Sequence, residues 1–245
     1  MTEYSEAVLE ELKAWQREMQ LKPNLFRKAA KGVQVRINRM IPERVHKIIT
    51  TAIKQMTRTV IFGADISTTL PKVIGKSKPE LSFQKIEDLA RKKIRFYRST
   101  AAAEGAVTGF GGILLGFADL PLWLSIKMKM LFEIADTYGF DIRDYRERVY
   151  ILHIFQLTFS SQKNRNQVYK IIANWENHQN ELPEDINQFD WRNFQLEYRD
   201  YIDLAKLLQL IPGIGAVVGA FVNHRLTDKL GLTAMNAYRM RILKI

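Results

Sequence analysis

The feature that most constrains this chain is the period at which its apolar residues return. Tyr4, Val8, Leu12, Trp15 and Met19 form one seam at helical spacing; Val33, Ile37 and Met40 form a second. Val45, Ile49, Ala52, Met56 and Val60 form a third, just after Pro42, a residue suited to a first helical turn. Further helices are expected at about 82–103, 121–138 (closed by Gly139), 144–160, 163–179, 191–210, 214–230 and 233–244. The alternation that marks half-buried strands is hardly present, so the expected class is all-α. The expectation is a multi-helix globular bundle around a central glycine-rich apolar helical hairpin.

The chain has 245 residues and no cysteine, which excludes disulfides and thiolate chemistry and fits a reducing compartment. Its first twenty residues carry five glutamates and no apolar block behind a basic start, unlike a secretory signal. Residues 63–82 and 177–190 concentrate Pro, Gly, Asn and Ser and are the linker candidates, but neither divides two domains. One domain over 1–245 is expected, with a basic helical part at 1–80 and a glycine-rich core part at 81–245.

The net charge of +11 is unevenly placed. Residues 1–100 hold 21 Lys and Arg against 10 Asp and Glu, whereas residues 101–245 hold 16 of each. Between Lys22 and Arg58 there are ten basic residues and one acid, Glu43. Such a segment seeks a polyanion: an anionic lipid surface, a nucleic acid or an acidic partner. On the third seam Arg44, Lys47, Lys54 and Arg58 fall opposite the apolar face, and Arg36 and Arg39 precede them. These six are the candidate lipid- or partner-binding residues. A nucleic acid is the weaker choice, because no helix-turn-helix or zinc-finger spacing occurs and aromatics are not interleaved with the stripe.

Two stretches are rich in glycine. Fourteen residues from Gly105 to Ala118 lack any charge, and Gly105/Gly109, Gly112/Gly116 and Gly215/Gly219 are i, i+4 pairs that let helix backbones approach closely. Fourteen helical residues rise about 21 Å against about 30 Å of hydrocarbon, too short to span. The second stretch, Leu207 to Val222, is interrupted by Pro212 and Gly213. No Lys-Ser or Lys-Thr follows the first, and a helix rather than a strand precedes it, so a phosphate loop and a dinucleotide fingerprint are both rejected. No nucleotide or other cofactor is expected.

A turn at Gly111-Gly112 would bring Glu104 and Asp119, equidistant from it, side by side at the mouth of a hairpin. That pair is the catalytic candidate, for a peptide-directed hydrolase, and Glu133 and Asp136 are further carboxylates able to converge with it. The competing reading makes Asp119 the N-cap of a helix with Pro121 in its first turn, and pairs Glu104 with a base of its own helix such as Arg98. His46, His153, His178 and His224 lie on separate helices without metal-ligand spacing, His153 reads as a core histidine, and no GxSxG elbow occurs. Enzyme activity is therefore the minority expectation and no metal is expected.

The segment "GAVTGFGGILLGFADLPLWLSIKMKMLFEIADTYGFD", Gly105 to Asp141, resembles the EcsC protein family, as does "MIPERVHKIITTAIKQM", Met40 to Met56. The resemblance covers most of the chain. Its marked positions are Gly105, Gly109, Gly112, Asp119, Pro121 and Gly139; they identify the family without assigning chemistry. It implies a bacterial protein accessory to an ABC transporter linked to protein secretion and membrane-protein processing; the basic N-terminal part and the apolar stretches too short to span add the expectation of a cytoplasmic protein peripheral at the inner face of the cell membrane. An anionic membrane surface or a transporter subunit is then the expected partner.

Overall fold

A computed structural model describes residues 3–21, 43–62, 81–108, 120–202 and 216–245. Among them are nine α-helices and no strand. They are α1 (Glu3–Gln20), α2 (Glu43–Phe62), α3 (Phe83–Thr108), α4 (Leu120–Thr137), α5 (Tyr145–Phe159), α6 (Gln162–Ala173), α7 (Trp175–Glu181), α8 (Trp191–Tyr201) and α9 (Ala216–Leu243). A single 3₁₀ turn, Ile186–Gln188, lies between α7 and α8. The class is all-α, and no helix among the described residues is long and apolar enough to cross a membrane.

The seams bury as their spacing requires. Val8, Leu12 and Met19 of α1, and Ile49, Ala52, Met56 and Val60 of α2, are all in the core. The helix buried on every side is α5, whose residues Val149 to Phe159 are all buried. A helix apolar around its full circumference has to be wrapped by others. Accordingly α5 packs on α9, α6, α2 and α4. The longest helices, α3 and α9, form the most extensive pair, and α4 lies against both.

Boundaries follow local chemistry. Asp144 caps α5 by accepting from the Arg146 N–H, Ser161 caps α6 by accepting from the Asn164 N–H, and Ser160 ends α5. At the end of α4, Gly139 has φ +89°. Its N–H bonds the Asp136 carbonyl at 3.0 Å and the Phe140 N–H bonds the Ala135 carbonyl at 3.1 Å, the paired bonds of a Schellman ending.

Three sequence expectations are corrected. The helix expected at 163–179 is broken at Asn174 (φ −110°, ψ 32°), which lets Trp175 turn into the core at 2% exposure. The helices expected at 214–230 and 233–244 are one, running through Gly231. A Cβ at Gly231 would stand 2.4 Å from Ile94 Cγ1, so this glycine admits α3 against α9 rather than ending a helix. The helix expected to end at 103 continues through Glu104 and Gly105 to Thr108. The linker candidate 177–190 also begins inside α7, and its Pro183 carbonyl accepts from the Tyr145 hydroxyl. The turn expected at Gly111-Gly112 lies outside the described residues, as do residues 63–80 of the linker candidate 63–82.

Candidate functional site

Charged residues in this fold divide into those matched inside and those left outside. Inside, Glu87 of α3 is fully buried and forms a two-pronged pair with Arg239 of α9, at 3.0 Å from Nε and 2.5 Å from the other guanidinium nitrogen. The Tyr138 hydroxyl donates to the same carboxylate at 2.5 Å, and Arg239 also reaches Asn236 at 2.8 Å and Glu11 at 3.3 Å. Two residues along α9, Arg241 pairs with Glu147 of α5 at 2.6 Å, and the Tyr238 hydroxyl donates to that carboxylate at 2.7 Å. The rings of Tyr138 and Tyr238 stack at 5.5 Å, joining two Glu–Tyr–Arg groups into one buried array. Arg241 lies 3.9 Å from the Phe140 ring centre and 4.7 Å from that of Tyr150.

Burial pushes the Tyr138 and Tyr238 hydroxyls far above their ordinary range, and the adjoining carboxylates add to this. Glu147 is held above the usual carboxylate range by burial, which outweighs the opposing pull of Arg241 and Tyr238. The array ties α3 and α5 to α9 through charge-assisted hydrogen bonds, with Tyr138 at the end of α4 joining it. Lys127, also fully buried, donates to Thr227 at 2.5 Å and faces the Trp123 ring at 5.0 Å. No three His, Asp or Glu side chains among the described residues gather as metal ligands.

Outside, α2 carries a stripe. Lys47, Thr51, Lys54, Arg58 and Phe62 are exposed and fall within about 80° of the helix circumference. At its C-terminal end α2 meets α8, where Phe62 and Trp191 pack edge to face at 5.6 Å. Between them opens a cleft of about 680 Å³, lined by Lys54, Arg58 and Phe62 from α2 and by Trp191, Arg192, Gln195 and Leu196 from α8. A second groove of about 610 Å³ lies between α2 and α4, with Met56, Val60, Leu122, Met128 and Phe132 among its walls.

Of the candidates from sequence, Lys47, Lys54 and Arg58 are on the exposed stripe, and Lys54 and Arg58 enter the cleft. Arg44 lies on α2 with its side chain outside the described residues, where Arg36 and Arg39 also fall. Pro121 is exposed in the first turn of α4, and its carbonyl accepts from the Ser125 hydroxyl at 2.8 Å. Gly105 is in α3 and Gly219 in α9; Gly109, Gly111, Gly112, Gly116, Gly213 and Gly215 lie outside the described residues. So do Asp119 and the side chain of Glu104, which leaves the hydrolase geometry undescribed. Arg98 reaches Asp228 of α9 at 3.3 Å. His153 is buried against Gln156, as a core histidine should be. Arg192 and the buried pairs were missed, because only their partners on distant helices give them meaning.

The model of the EcsC protein family matches residues 6–243 of the chain. Protein EcsC of Bacillus subtilis (strain 168) is 42% identical over 240 residues, spanning 98% of this chain and 97% of that one. Uncharacterized protein YdbA of the same strain is 26% identical over 247 residues, spanning 95% and 90% respectively. No solved structure matches. A family match over nearly the whole length, together with so similar a relative, establishes that the chain belongs to the EcsC protein family.

Proposed function

We propose that this protein is a membrane-peripheral, cytoplasmic accessory of an ABC transporter concerned with protein secretion and membrane-protein processing. It meets anionic lipid, or an acidic face of a transporter subunit, through the outer stripe of α2. The observation that carries this reading is the exposure of Lys47, Lys54 and Arg58 on one side of a helix whose opposite side is sealed in the core. Each cation near an anionic leaflet contributes about 1 kcal/mol, so the stripe supplies about 3 kcal/mol. Binding of that size is reversible, and exposed apolar residues beside the stripe (Ile48, Phe62 and Leu196) add to it. The transporter enters through the family resemblance, and the charge pattern supports the surface. Flotation tests the lipid part. The protein should rise with vesicles containing phosphatidylglycerol at low salt, stay behind with phosphatidylcholine vesicles, and be released by high salt. Charge reversal at Lys47, Lys54 and Arg58 together should abolish flotation; an unchanged result would reduce the stripe to a solvated face.

A further inference from the structure

The cleft between α2 and α8 gathers cations from two helices. Lys54 and Arg58 come to it from α2 and Arg192 from α8. All three are exposed, and among the described residues no carboxylate stands within ion-pair distance of any of them. Elsewhere Arg98 is matched by Asp228, Arg143 by Asp141, Arg239 by Glu87 and Arg241 by Glu147. Asp190, the acid adjoining Trp191, accepts from the Asn193 backbone N–H at 3.0 Å and so caps α8. Three like charges converging from two helices repel each other, and an anion placed among them relieves that repulsion.

Two further observations narrow the anion. Gln195, on the cleft wall, has its Nε2 buried with no hydrogen-bond partner, a donor whose desolvation is uncompensated. The rest of the wall is apolar: Phe62 and Leu196 are 40% and 45% exposed, and Trp191 packs on Phe62. A small inorganic anion would use the cations and leave this wall wet. A ligand with a phosphate at one end and hydrocarbon at the other would use both.

We infer that the α2–α8 cleft holds the headgroup of a single anionic phospholipid, its phosphate among Lys54, Arg58 and Arg192 and its first acyl methylenes on Phe62, Trp191 and Leu196. The inference rests on the membrane reading above and sharpens it from a charged surface to one bound lipid. A choline headgroup brings its own cation toward the three already present, so the site discriminates against zwitterionic lipid.

The test is calorimetric titration of the full chain with dihexanoyl phosphatidylglycerol below its micelle concentration. Saturable binding to one site is expected, with dihexanoyl phosphatidylcholine and glycerol phosphate at least about tenfold weaker. Arg58→Gln and Arg192→Gln, both at exposed positions, should each weaken binding about tenfold or more, as loss of a charged phosphate contact does. Lys92→Gln, an exposed cation of α3, should leave it unchanged. Absence of saturable binding, equal binding of phosphatidylcholine or glycerol phosphate, or indifference to both arginine changes would overturn the assignment. Flotation of the same variants separates this from the membrane reading. If Arg192→Gln floats like wild type and shows no loss in the titration, the cleft falls and the surface reading stands. If soluble lipid binds in the cleft but the protein does not float, the surface reading falls.

Discussion

His153 gives the fold a measurable sensitivity to acid. It lies on α5 at 6% exposure, with ring Nδ1 2.9 Å from Gln156 Oε1. The Gln156 amide nitrogen is committed to the Tyr198 carbonyl at 3.3 Å, so the oxygen faces the ring, and Nδ1 carries the proton of a neutral imidazole. Trp175, Phe194 and His178 surround it, with ring centres 5.7 to 6.0 Å away. Burial pulls the pKa from 6.5 down to about 4; the Gln156 bond opposes this and the His178 charge adds to it. The folded pKa therefore lies below the unfolded one. Stability from the neutral ring is fully present above pH 6.5 and is lost as pH falls from 6.5 to 4, where the unfolded chain binds a proton that the native state refuses. The loss is about 2 kcal/mol at pH 5 and about 3 kcal/mol by pH 4. His153→Asn keeps a donor for Gln156 and removes the titration, at a cavity cost common to both pH values. Urea unfolding at pH 7 and pH 5 should show wild type losing about 2 kcal/mol more than the variant. Equal losses in the two proteins would refute the argument.

The buried array makes a second prediction. Glu87→Gln should destabilise by about 3 kcal/mol in urea, because Arg239 loses its buried carboxylate and keeps only the exposed Glu11 as a charged partner; adding Arg239→Met should recover much of it, and additivity would argue against a coupled pair. Gly231→Ala should also destabilise, by about 1–3 kcal/mol of overpacking against a gain in helix propensity of about 1 kcal/mol. Ile94 is β-branched and 3% exposed, so it cannot swing aside; Ile94→Ala removes all three atoms that the new Cβ would meet, so Gly231→Ala should cost less in that background than in wild type, and an equal cost would place the clash elsewhere.

What the sequence revealed and what it hid follow from the range of the physics involved. Helical period is a property of a few neighbouring residues, so the seams of α1 and α2 and the exposed cations opposite the latter could be read directly. Gly139 was also legible, because a glycine after a periodic run and before a loop has one common use. Gly231 was not: the same residue ends a helix or admits a neighbour, and Ile94 of α3 decides which. Nor was Glu87, which in "QKIEDLARKK" looks like any surface acid until Arg239, 152 residues away, is placed beside it. Arg192 stands between Trp191 and Asn193 with nothing local to mark it, and acquires its company only when α8 docks on the end of α2. Asn174 breaks its helix because Trp175 has a core to enter, which no count of polar residues reports.

The uneven charge of the two halves then has a structural account. Several charges of the C-terminal part serve each other or are met from α3: Glu147 with Arg241, Asp141 with Arg143, Glu133 with Lys93, Asp228 with Arg98. Glu87 and Arg239 likewise join the two parts through the core. In α2, by contrast, no acid follows Glu43, so Lys54 and Arg58 have no acid within their own helix to turn to. The apolar seam of α2 is committed to the core, and its cations therefore face outward. Exposed like charges left together cost some stability, and a helix whose only task was to close the core could carry glutamates on that face without penalty. Exposed cations gathered from two helices, Lys54, Arg58 and Arg192, in a cleft with aromatic walls are the arrangement expected where the neutralising charge comes from another body.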